Sequence, residues 1–169
     1  MRDLLFEKQG LLRQLDIVNI LHTRMEEKQM SKVAVVYWSM TGNTEAMAKA
    51  VADGAKAAGA EVDLMTSAEF GPEKMDEYEA IGFGCPAMGD EILEEGEFDP
   101  MFTACESKLG GKKIALFGSY DWGDGEWMRQ WEQRCKTDGA ALACDFVICN
   151  LEPDADGVAA CEKLGAALA

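Results

Sequence analysis

The sequence is poor in the residues that build metal and nucleotide sites. It has a single histidine, His22, and its six cysteines (Cys85, Cys105, Cys135, Cys144, Cys149 and Cys161) include no CxxC pair. Zinc and iron–sulfur ligation is therefore not expected, and buried free thiols in a reducing cytoplasm are the plain reading. Neither of the common nucleotide loops, GxxxxGKS/T and GxGxxG, occurs. No apolar run approaches the length of a bilayer span, and no secretory signal is visible. Basic residues are scarce: 16 Lys and Arg stand against 31 Asp and Glu, a net charge of −15. Residues 1–29 carry five charges of each sign, so the whole excess lies in residues 30–169. Such a surface repels nucleic acid and anionic membranes and attracts basic protein partners, although acidity alone also serves solubility.

What is present divides into two parts. Residues 1–29 scatter Leu4, Leu5, Leu11, Leu12, Leu15, Val18 and Leu21 at spacings that suit one or two short helices. An equally plain reading makes Met30 the true start. Glu26-Glu27-Lys28 fits the purine-rich codons of a bacterial ribosome-binding site, and that reading is favoured. From Met30 the pattern alternates. Val33–Trp38, Glu61–Thr66, Ala80–Gly84, Lys112–Gly118 and Ala141–Cys149 read as strands. Glu45–Ala58, Asp99–Lys108, Glu126–Thr137 and Asp154–Leu168 read as helices, with a short helix near Pro72. Alternation of this kind predicts an α/β fold, a doubly wound five-stranded parallel sheet with helices on both faces. The ligand of such a fold sits beyond the C-terminal ends of the strands.

The first of those ends is the most informative. Val33 to Trp38 is an unbroken apolar run rich in β-branched residues, the pattern of a strand buried on both faces. Ser39, Thr41, Asn43 and Thr44 follow around Gly42, directly before a helix. Hydroxyls and free amides at a helix N-terminus suit an anion. No Lys or Arg lies between Val33 and Lys49, so a phosphomonoester fits better than a metal-bound triphosphate. Ordinary helix capping explains the same residues, and on this stretch alone the two readings are level. Two further strand ends carry unusual loops. One is Cys85-Pro86-Ala87-Met88-Gly89-Asp90-Glu91, in which Gly89 can take positive φ in a turn. In the other, Ser119-Tyr120-Asp121-Trp122-Gly123-Asp124-Gly125, Trp122 has little local material to pack on and is suited to stacking on a flat ligand.

Three motifs then carry a family resemblance: VYWSMTGNTEAMA (36–48), GCPAMGDEILEE (84–95) and GKKIALFGSYDWGDGEWM (111–128). Residues 33–169 resemble short-chain bacterial flavodoxins over nearly their whole length. The resemblance implies the flavodoxin-like strand order 2-1-3-4-5 and non-covalently bound FMN. Ser39, Met40, Thr41, Gly42, Asn43 and Thr44 would hold the 5′-phosphate, with Ser119 nearby. Met88 would cover the inner face of the ring system and Trp122 the outer. Glu91 would accept from the imide N–H. The Gly89–Asp90 peptide would turn over on reduction. Pro86, Ala87, Tyr120, Asp121, Gly123 and Gly125 complete the expected contacts; no catalytic or metal-binding residue is implied. Met40 and Asp121 both stand where relatives usually carry glycine.

By this resemblance the domain is a cytoplasmic, monomeric, low-potential one-electron carrier that substitutes for ferredoxin. It would dock basic-faced redox proteins at its acidic flavin edge. The alternatives are a flavodoxin-like NAD(P)H:quinone or FMN reductase, which would oxidise NADPH unaided, and a non-redox interaction module, which would be colourless.

Overall fold

The computed structural model describes residues 30–169; the expectations for residues 1–29 lie outside the described residues. Strands β1 (Lys32–Tyr37), β2 (Glu61–Thr66), β3 (Ala80–Gly84), β4 (Lys113–Tyr120), β5 (Ala141–Leu142) and β6 (Val147–Asn150) alternate with helices α1 (Asn43–Ala57), α2 (Phe98–Cys105), α3 (Glu126–Thr137) and α4 (Ala155–Leu168). All pairings are parallel, in the order β2-β1-β3-β4, with β5 and β6 both paired to β4. This is the expected order 2-1-3-4-5, except that the fifth position is shared.

The expected single strand Ala141–Cys149 is broken. Leu142 pairs with Ile114 and Val147 with Phe117, so β4 advances three residues while its neighbour advances five. The two surplus residues leave the ladder as a bulge around Cys144 and Asp145, and the strand restarts with its C-terminal end still in register. Helix α1 begins two residues before the expected Glu45, and α2 gives way to a tighter turn, Glu106–Lys108. The short helix expected near Pro72 is replaced by two such turns, Ser67–Glu69 and Met75–Glu77.

Two cores cover the sheet. Val33 and Val35 face α1 and α4, whereas Ala34 and Val36 face α2 and α3, and all four are fully buried. On the α2–α3 side, Trp131 meets Phe98 and Phe102 edge-on, each at 5.4 Å between ring centres. Glu94 fixes where α2 starts: its carboxylate accepts from the amides of Gly96, Glu97 and Phe98 at 2.7–2.9 Å. Partial burial opposes its ionisation, but these three donors outweigh it and lower its pKa.

On the other side α1 and α4 pack almost backbone to backbone. A Cβ on Gly165 would lie 1.9 Å from the Val51 carbonyl oxygen, and one on Gly54 would lie 2.0 Å from that of Glu162. Backbone cannot yield as a flexible side chain does. Gly165→Ala is expected to lower stability by about 1–3 kcal/mol, read as a drop in the urea midpoint at unchanged slope.

Candidate flavin site

Three strand ends converge on one rim, as the strand order requires. β1 ends at Tyr37 and α1 starts at Asn43, so the chain reverses within 38–42. Gly42 makes this possible by taking φ 93°, where a side chain would be strained, and its N–H donates to Ser39 Oγ at 3.1 Å. α1 has no side-chain cap at its start. The amides of its first turn therefore have no intrahelical acceptor and face the rim with the positive end of the helix dipole. Thr44 and Ser119, both buried, link the two halves of the site: their hydroxyls are 2.8 Å apart, and the Ser119 amide donates to Thr44 Oγ1 at 3.3 Å. Ser119 and Tyr120 belong to β4 rather than to the loop that was expected to hold them. Strand geometry thus fixes the hydroxyl.

The nearest basic residue along the chain is withdrawn from this turn. Lys49 pairs with Glu45 at 2.7 Å, and the hydrogen bond to that carboxylate raises its pKa. Among the described residues, no cluster of three His, Cys, Asp or Glu side chains is placed to hold a metal ion.

The second loop is a tight antiparallel hairpin. Met88 and Ile92 exchange both backbone hydrogen bonds at 2.9 Å, with Gly89 at φ 47° and Glu91 at φ 55° between them. A Cβ on Gly89 would meet only Ile92 carbons at 3.8 Å, so the turn needs glycine for its backbone angle and not for space. The Ala87 amide donates to the Ser119 carbonyl at 3.0 Å, which ties this loop to β4.

Glu91 has a job that the sequence reading missed. Its Oε1 accepts from the amides of Asp124, Gly125 and Glu126 at 3.2, 2.9 and 3.0 Å, at the N-terminus of α3. Gly123 lies so close that a Cβ there would fall 2.4 Å from the Glu91 carboxyl carbon. One carboxylate oxygen thus stitches the hairpin to the Trp122 loop, and no hydrogen bond within the described residues engages the other. Trp122 itself is 59% exposed at the rim, between residues the fold holds firmly.

A cavity of about 200 Å³ opens where these loops meet. Ser39, Met40, Thr41, Asn43 and Thr44 line it from the first loop, Pro86, Ala87 and Met88 from the second, and Ser119, Tyr120 and Asp121 from the third. Gly42, Gly89, Asp90, Glu91, Trp122, Gly123 and Gly125 do not line it. They form the turns and the rim around it. Leu151 also lines the cavity and had escaped the sequence reading, as had its neighbour Asn150. Asn150 Nδ2 donates to the carbonyls of Tyr120 at 3.3 Å and Asp121 at 3.0 Å, and Leu151 N donates to Tyr120 at 2.8 Å with φ 60°. The signal was available: these residues follow the fifth strand, whose C-terminal end had not been counted among the ligand loops.

Met40, Ile92, Trp122 and Leu151 are all large, apolar and exposed, and they surround this rim. Among the described residues, no helix is long and apolar enough to cross a membrane.

Comparison with known proteins gives the same picture. The flavodoxin family model matches residues 35–165. A flavodoxin of Megasphaera elsdenii is 44% identical over 137 residues, 81% of this chain and 98% of that protein. One of Clostridium beijerinckii is 43% identical over 120 residues, 71% and 87% respectively. The solution structure of two-electron reduced M. elsdenii flavodoxin superposes with a TM-score of 0.74 at 45% identity, covering 80% of this chain and 97% of that one. An NAD(P)H dehydrogenase (quinone) of Nitrobacter winogradskyi is 32% identical over 100 residues, half of that protein's length. The chain therefore belongs to the flavodoxin family of FMN-binding electron-transfer proteins, and its flavodoxin relatives at 43–44% identity are electron carriers rather than enzymes.

Proposed function

We propose that the protein carries single electrons at low potential between redox partner proteins, in the place ferredoxin otherwise fills. The observation that carries this reading is the convergence of a cation-free, hydroxyl-lined helix N-terminus with an exposed indole and a thioether on one cavity rim. That donor set suits one phosphate and one flat apolar ring, as FMN presents them. Bound FMN supplies the electron-accepting chemistry.

The chain's own residues supply the rest. Ser39, Thr41, Thr44, Ser119 and the amides of the α1 turn, with those of Met40 and Asn43, hold the phosphate and neutralise it without a cation. Met88 and Trp122 cover the two ring faces and keep water from them. Pro86, Ala87, Tyr120 and Asp121 wall the cavity. Glu91, through its second oxygen, accepts from the imide N–H, while Gly123 and Gly125 give that carboxylate room. Gly89 already sits at φ 47°, where glycine is unstrained, so the Gly89–Asp90 peptide could turn over at little cost and would then offer the Gly89 carbonyl as an acceptor to the bound ring. Asp90, Asp121 and Asp124 are exposed, and Asp124 is paired with Arg129 at 2.7 Å. The unpaired carboxylates make further negative charge on the ring costly and present an acidic face to basic partners.

Asp121 tests the electrostatic part. Asp121→Gly removes one charge beside the cavity, and a unit charge acting across partly hydrated surface is worth under about 1 kcal/mol. The second one-electron potential is expected to rise by roughly 10–40 mV on that basis. A fall, measured by redox titration, would contradict it.

A further inference from the structure

Cys149 and Cys161 lie in different elements but share one core. Cys149 is the penultimate residue of β6, and its sulfur sits against α4 at Gly157: a Cβ there would be 2.8 Å from Cys149 Sγ. Cys161 is one turn further along the same face of α4. Side chains on a helix lean towards its N-terminus, so the Cys161 thiol is directed back to the turn where the Cys149 sulfur lies. Each thiol shifts the other's pKa. Their settings differ. Cys161 is fully enclosed, whereas Cys149 lines an open surface groove beside Asp154 and Asp156. Burial and then Asp154 raise the pKa of Cys149, with the neighbouring Cys161 thiol easing it back. Burial, followed by the neighbouring Cys149, pushes Cys161 up to about 12. Cys149 is thus the more reachable of the pair.

We propose that Cys149 and Cys161 form a reversible oxidation site, with Cys149 attacking a hydroperoxide and Cys161 resolving the product into a disulfide. In the first step the Cys149 thiolate takes the distal peroxide oxygen and the O–O bond breaks. This gives Cys149 sulfenic acid, and the leaving oxygen departs as water or an alcohol after protonation. In the second step the Cys161 sulfur displaces hydroxide from the sulfenic sulfur, and the hydroxide leaves as water with the Cys161 proton. Two thiols lose two electrons and two protons, and the peroxide is reduced by two electrons. The bond ties the end of β6 to α4, immediately before Asn150 and Leu151. Burial makes the thiols slow, so the reaction belongs to sustained oxidative exposure.

The test uses the full-length, FMN-loaded protein, treated with hydrogen peroxide and blocked with an alkylating agent. Cleavage before aspartate separates Cys144, Cys149 and Cys161 into different peptides, since Asp145, Asp154 and Asp156 lie between them. The expected result is a linked pair of peptides carrying Cys149 and Cys161, lighter by two hydrogens and separated by dithiothreitol. The Tm should rise by several degrees on oxidation, and the rise should be lost in Cys149→Ser but kept in Cys144→Ser. The peptide map of the unmutated protein decides the matter even where a serine variant folds poorly. Alkylated Cys149 and Cys161 after exposure that oxidises the less buried Cys144 would overturn the proposal, as would linkage of Cys149 to any other cysteine. The outcome is independent of how FMN is held.

Discussion

Trp122→Ala is expected to weaken FMN binding by about 10–100-fold while leaving the stability of the FMN-free protein within ~0.5 kcal/mol of its original value. The two halves of this expectation have one cause. The indole is 59% exposed, so it contributes little to the fold, and its apolar surface is available to a ligand. Covering roughly 100 Å² of it with a flat ring stabilises the complex by about 2.5 kcal/mol at 25 cal/mol per Å², and ring–ring geometry adds to this. Trp122→Phe should keep most of the affinity. Titration of FMN, followed by quenching of its fluorescence, measures both variants. Unchanged affinity in the alanine variant would show that the indole does not cover the ring.

The second large effect is expected at Glu91, and it separates two roles carried by one side chain. If the carboxylate served only the cofactor, Glu91→Ala would leave the FMN-free protein as stable as before. Three amides at the start of α3 depend on its Oε1, however. Removing the acceptor leaves them unpaired at the positive end of a helix dipole, which costs about 1–3 kcal/mol. Glu91→Gln retains an oxygen acceptor but not the charge, and should cost about half as much. Urea unfolding of the FMN-free protein reads both. Unaltered stability in Glu91→Ala would mean that the stitch contributes nothing. The affinity for FMN should fall in the alanine variant as well, because the same stitch holds the Trp122 loop against the 88–92 hairpin.

Much of this architecture is legible in the sequence, for physical reasons that can be named. A run such as Val33–Trp38 is buried on both faces wherever it occurs, and alternation with amphipathic segments leaves few topologies. Gly89 announces a turn that requires positive φ and takes it, whereas the positive φ of Gly42 appears only in the structure. The lack of Lys and Arg between Val33 and Lys49 favours a phosphomonoester over a metal-bound triphosphate, but alone it leaves ordinary helix capping level with an anion turn. Other features depend on contacts far apart in the chain and leave no local trace. The bulge that splits the fifth strand follows from its register against β4. The engagement of Glu91 with α3 spans more than thirty residues. Asn150 holds Tyr120 and Asp121 through backbone carbonyls, which any residue type provides. Leu151 is one more apolar residue in a chain that is 48% hydrophobic, so its only signal is its place directly after the fifth strand.

The most direct test of one-electron carriage is reduction of the FMN-loaded protein by stepwise addition of dithionite, followed by visible absorption. The account predicts two separable one-electron stages: a long-wavelength band grows during the first and disappears during the second, at a markedly more negative potential. Direct bleaching of the flavin bands in a single two-electron stage, with no long-wavelength absorption at any point, would contradict it.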